Sequence, residues 1–153
     1  MGMRQMRFVI DGDGSPVKNE VIALGAKFHV PVVIVTSVDH FTTKEYPEFV
    51  SFIYVDKGAD RADYRIIQEL LPDDWVITQD YGLASLVLGK KARVFHHSGK
   101  EYTLENIDEL LTQRFIGAQM RKAKKRTKGP KPFTQENREH FTQVMTERLE
   151  VRI

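Results

Sequence analysis

The sequence predicts an α/β domain of three layers, with a mostly parallel central sheet, helices on both faces and further helices at the C-terminus. Three observations carry the prediction. Apolar runs of strand length alternate with stripes of helical period. The run Val32-Val33-Ile34-Val35 has no polar member, which fits a strand covered on both faces. Proline, glycine or aspartate punctuates most of the junctions.

The elements follow in order along the chain. Met6 to Ile10 is a short apolar run that opens on the turn-rich Asp11-Gly-Asp-Gly-Ser15. Ser15 followed by Pro16 has the form of an N-cap with proline at the first helical position. Val17, Val21, Ile22, Leu24 and Phe28 then make a helical stripe. Pro31–Thr36 and Phe49–Val55 read as strands. A helix opened by Asp60 carries Ala62, Ile66, Ile67, Leu70 and Leu71 toward the core, and Pro72 stops it. Trp75–Thr78 reads as a strand, Tyr81–Leu88 as a helix ended by Gly89, and Ala92–Phe95 as a fifth strand. A helix spans roughly Leu104–Phe115, opened by Thr103 or Glu105. Thr134 caps the last helix, with Phe133 as a staple and Asn137 where a capping box has Glu. Phe141, Val144, Met145 and Leu149 line it.

Bulk properties narrow the function. A chain of 153 residues suits one domain. Residues 1–120 are expected to form the α/β body, and 121–153 a basic arm and final helix packed on the same body. The absence of cysteine excludes disulfides, thiolate zinc sites and thiol nucleophiles. No secretion-type apolar segment or membrane-length run is present, so a cytoplasmic location and no membrane partner are expected. The net charge of +2 is unevenly spread. Arg121, Lys122, Lys124, Lys125, Arg126, Lys128 and Lys131 form an arm without acids, and the remainder carries 16 basic and 21 acidic residues. Such a run is commonly a solvated face, and it also fits the phosphates of a nucleic acid.

The chemistry points to aspartates. Ligands of a parallel sheet sit outside the carboxyl ends of its strands. Asp11 and Asp13, Asp60 and Asp63, and Asp80 all follow a strand or begin a helix. Carboxylates gathered from several elements suit Mg²⁺ or Mn²⁺. Asp60 and Asp80 also have a reading as helix caps. Asp11 does not, because Ser15 supplies a cap there. Asp63 lies three residues from Asp60, a spacing at which like charges repel. An EF-hand loop starting at Asp11 is excluded, since Pro16 and Ile22 stand where glycine and glutamate are needed. Asp11-x-Asp13 also resembles the haloacid-dehalogenase-type phosphatases, in which the first aspartate is a nucleophile.

Four motifs carry a closer resemblance: Asp11-Gly-Asp-Gly-Ser-Pro-Val-Lys18, Gly58-Ala-Asp-Arg-Ala-Asp63, Ile77-Thr-Gln-Asp-Tyr-Gly-Leu-Ala84 and Gly129-Pro-Lys-Pro-Phe-Thr134. In this order, over Arg7 to about Leu149, they resemble the YaiI/YqxD family of bacterial proteins. That family is similar to PIN-like and NYN-like nuclease domains. The resemblance implies a PIN-like fold and a Mg²⁺- or Mn²⁺-dependent nuclease acting on RNA. It also implies a site at Asp11, Asp60, Asp63 and Asp80 with Asp13 as a fifth metal ligand, and a homo-oligomer as a common state. The chain departs from the family pattern at Ser15, where cysteine is expected, and at Gly12 and Gly14, where alanine is commoner. The acidic helix residue that PIN domains place between the first and third motifs has no counterpart here. Tyr81 is a candidate for base stacking, and His96 or His97 for proton transfer. Two other classes stand beside the nuclease: a nucleic-acid-binding or protein-interaction module with a degenerate site, and a phosphatase.

Overall fold

The computed structural model describes residues 6–58, 61–109, 112 and 132–152. Its elements run β1 (Phe8–Asp11), α1 (Lys18–Phe28), β2 (Val32–Ser37), a 3₁₀ turn (Val38–His40), β3 (Val50–Val55), α2 (Arg61–Glu69) and β4 (Trp75–Ile77). They continue with α3 (Tyr81–Gly89), β5 (Arg93–Phe95), β6 (Glu101–Tyr102), α4 (104–109) and α5 (Gln135–Arg152).

The strand order is β3-β2-β1-β4-β5-β6. All pairs are parallel except β5–β6. The chain winds outward from β1 in one direction and resumes from β4 in the other, so the order reverses between these two strands. A crevice opens at the carboxyl ends of such a pair, because the following segments diverge to opposite faces.

The sheet divides two cores, giving the three layers expected. Phe8, Ile10, Val32, Ile34, Trp75 and Ile77 face Val21 and Leu24 of α1 and Phe141, Met145 and Leu149 of α5. Val9, Val33, Val35 and Val76 face Ala62 and Ile66 of α2, Leu83 and Val87 of α3, and Ile107 of α4. Strand alternation explains the split: consecutive side chains of one strand point to opposite faces, and both faces are covered. Fully burying each Val, Ile or Phe contributes roughly 1.5–3 kcal/mol.

Local chemistry fixes the ends of the elements. α1 closes at His29, whose left-handed backbone (φ 57°, ψ 47°) ends the helix while the cap N–H bonds the Gly25 carbonyl. Gly25 lets helix and strand meet, since a Cβ there would lie 2.7 Å from the Val30 oxygen. At α5, Thr134 and Asn137 exchange side-chain-to-backbone bonds at 3.0 Å, so asparagine does the work of glutamate in a capping box. The Phe133 staple is stacked by Arg138, at 5.1 Å from its centroid.

Three features differ from the sequence reading. α1 starts at Lys18, and Ser15 is not its N-cap; the Ser15 hydroxyl accepts from the Val17 N–H, closing a turn before the helix. Leu71 is 42% exposed, because the chain leaves α2 before that position. β6 was not anticipated, since two residues are too few to display an alternation.

Candidate functional site

Asp11 ends β1, the next strand β4 ends at Ile77, and the loop that follows brings Thr78 and Asp80 beside it. Asp11, Asp13 and Asp80 line one cavity of about 300 Å³ together with Thr78, Gln79 and His97. The cavity lies at the carboxyl ends of β1 and β4, where the strand order reverses.

Each acid is held differently. The Asp11 carboxylate accepts the Thr78 hydroxyl at 2.9 Å. Burial raises its pKa, the Thr78 bond opposes this, and the charges of Asp13 and Asp80 raise it further, with Lys18 acting to lower it. Asp80 caps α3, accepting the Gly82 and Leu83 N–H groups at 2.9 and 3.2 Å, while its own N–H donates to Thr78. Both readings of Asp80, cap and cavity acid, therefore hold together. Asp13 Oδ1 accepts from the Thr36 hydroxyl at 2.5 Å and the Ser37 N–H at 2.8 Å, and lies 2.9 Å from His40 Nδ1. Burial pushes the Asp13 carboxyl up, but these bonds outweigh it and the net pKa falls. Parallel register explains the contact. Asp11 stands opposite Val35, so Asp13 arrives beside Ser37.

The other sequence candidates are distributed as follows. Asp63 is not on this cavity; it lines a neighbouring one of about 650 Å³, which Asp80 also borders. Asp60 lies outside the described residues, as do Arg121, Lys122, Lys124, Lys125, Arg126, Lys128 and Lys131. Tyr81 packs edge-on against Tyr102, with centroids 5.6 Å apart. His97 borders the acid cavity, tilted against His96 with ring centroids 4.0 Å apart and set edge-on to Phe133. Thr36 and His40 are partners of Asp13 that the sequence reading missed. Their link to Asp13 spans 23 and 27 positions, and no local pattern announces it.

Among the described residues, no three His, Asp or Glu side chains form a ready-made metal cluster. Mg²⁺ does not require one. It retains several waters and binds through one or two carboxylates with substrate phosphates. Asp11 beside Asp80 fits that donor set; the Asp11 pKa is raised by burial first and by the charges of Asp13 and Asp80 after it, and a cation would offset both.

The paired histidines give a pH prediction. Burial first, then the charges of His97 and Lys100, lower His96 to about 4. A histidine whose folded pKa lies below its unfolded value stabilises the fold above the unfolded pKa. That contribution is lost as pH falls from 6.5 toward 4. Melting temperatures measured from neutral pH down toward the folded pKa should fall less for His96→Gln than for wild type; equal falls would refute the assignment.

The fold and cavity define an α/β domain with an acidic crevice at the reversal of its strand order. The family follows from sequence comparison. The family model "Uncharacterized BCR, YaiI/YqxD family" matches residues 9–151, and the chain belongs to that family. A UPF0178 protein of Enterococcus faecalis is 56% identical over 142 residues, 93% of this chain and 96% of the relative. One from Bacillus cereus is 52% identical over 136 residues, 89% and 93% of the two chains. No solved structure matches the chain. Among the described residues, no helix is long and apolar enough to cross a membrane.

Proposed function

We propose that this protein is a divalent-metal-dependent nuclease that hydrolyses phosphodiester bonds, with RNA as substrate. The observation that carries the reading is the convergence of Asp11, Asp13 and Asp80 on one cavity at the β1/β4 reversal. Asp11 and Asp80 would hold Mg²⁺ or Mn²⁺. Such an ion lowers the pKa of a bound water and stabilises charge on a phosphoryl oxygen.

The chain's own residues do the positioning. Asp80 is immobilised by the first turn of α3, and Thr78 ties it to Asp11 through one hydroxyl. Asp13 clamps the β1 loop to the end of β2 and holds the His40 ring beside it. Asp63 borders the adjoining cavity, on the path a longer substrate would take past Asp80. A phosphatase of the Asp-x-Asp type is less well supported. Its second aspartate must deliver a proton, and the bonds to Asp13 favour its ionised form.

The test uses chelator-stripped protein. Calorimetry with Mg²⁺ and Mn²⁺ should show saturable binding, and single-stranded RNA should be cleaved only when either ion is restored. Ion binding without cleavage of any RNA or DNA strand would leave a binding module instead of an enzyme. Turnover of small phosphomonoesters through an aspartyl-phosphate at Asp11 would replace the nuclease with a phosphatase.

A further inference from the structure

A second cavity, of about 470 Å³, lies beside the acidic one and has the opposite charge. Lys18, Lys44 and Arg138 line it, with Glu20 as the one carboxylate among the described lining residues, together with Tyr46 and Ser15. Ser15 borders both cavities, so they are neighbours. We infer that this cationic cavity is a phosphate subsite that seats a backbone phosphate of single-stranded nucleic acid next to the one held at the acids. The inference rests on the nuclease reading and names how that site grips its substrate.

The cations differ in how far local contacts occupy them. Arg138 reaches from α5 to donate to the Pro16 carbonyl, lies 3.3 Å from Glu20 and stacks on Phe133. It is thereby fixed in place and partly neutralised. Lys44 lies 5.3 Å from the Tyr46 ring centroid, and Tyr46 is braced by Phe52 at 4.9 Å. Among the described residues, neither Lys18 nor Lys44 forms a direct ion pair. Lys18 is close enough to Asp11 to favour its charged form.

The charge pattern selects the ligand. A cavity whose described lining has an excess of two cations, next to one whose carboxylates would hold a metal ion under the nuclease reading, matches a polyanion with phosphates at short regular intervals. A free carboxylate metabolite would need only the first cavity, and a lone metal ion only the second. Lysine ammonium groups act as point charges toward phosphate. Each phosphate neutralised on a single strand contributes about −0.7 to the slope of log affinity against log salt.

The test measures binding of a labelled single-stranded RNA to the full chain by fluorescence anisotropy across a salt series. Asp11→Asn is present throughout to prevent turnover. Lys18→Gln with Lys44→Gln should flatten the slope by about 0.7, one phosphate contact. Lys44→Gln alone, at an exposed side chain, should flatten it in part, and Lys44→Arg should restore it. Lys90→Gln with Lys91→Gln removes the same charge after α3 and should leave the slope unchanged. Equal flattening by the two double variants, or none by the first, would overturn the subsite. RNA cleavage by the wild-type chain with an unchanged lysine-variant slope removes the subsite and keeps the nuclease. A lysine-dependent slope in a chain that cleaves nothing keeps the phosphate subsite and removes the nuclease.

Discussion

Asp11→Asn is expected to abolish most metal-dependent cleavage and to raise the melting temperature at neutral pH. The two effects share one cause. Asp11 is placed where burial and the charges of Asp13 and Asp80 disfavour its ionised form, and its folded pKa lies above 3.8. For a carboxyl shifted in this direction, folding carries no penalty below about pH 3.8. The full penalty applies above the folded pKa. Asparagine removes the charge and keeps an oxygen for the Thr78 hydroxyl. The variant should therefore melt above wild type at neutral pH, with the gap closing as pH falls through the folded pKa. Each kcal/mol relieved corresponds to roughly 2–4 °C for a chain of this size.

Cleavage should move the other way. Metal assistance is worth several kcal/mol, so losing it costs at least about 100-fold in rate. Mg²⁺ should raise the wild-type melting temperature by linkage and leave that of the variant unchanged. Thermal melts with and without Mg²⁺, beside single-turnover RNA cleavage, check all three points. A variant that melts lower and cleaves normally would remove Asp11 from the site.

The second large effect is expected at the opposite end of the sheet. Asp74 is fully buried and receives Arg7 at 2.7 Å and the Leu71 N–H at 3.0 Å. Arg7 also donates to the Glu69 carbonyl at 3.0 Å. Together they tie the start of β1 to the turn between α2 and β4. Asp74→Ala would leave a half-buried guanidinium and a peptide N–H without their acceptor. Losing one partner of such a pair costs about 3 kcal/mol. Urea unfolding should show that loss, and a double-mutant cycle with Arg7→Ala should recover a coupling of roughly 1–3 kcal/mol. A loss below about 1 kcal/mol would mean that water replaces the carboxylate without strain.

The layers were legible because their signal is local. The unbroken apolar run of β2 announced burial on both faces, and Thr134, Asn137 and the 141-145-149 spacing announced α5. Asp11 and Asp80 were legible by rule, since acids just past strands fall at the rim of a parallel sheet. Position around that rim was not legible. Strand order decides that Asp11 and Asp80 share a cavity while Asp63 lines the next one, and order is set by pairing between distant segments. The same holds for Thr36 and His40, which reach Asp13 only through the β1–β2 register. Ser15 misled because serine before proline has the form of a cap, whereas here its hydroxyl closes the turn leading into α1.

The Thr78 hydroxyl has a single hydrogen. It already receives the Asp80 N–H, so that hydrogen is directed at Oδ2 of Asp11. A proton taken up by Asp11 must then settle on the other oxygen. Acidification would convert that one atom from electron-pair donor to hydrogen donor, and a cation held there, as proposed, would lose that ligand.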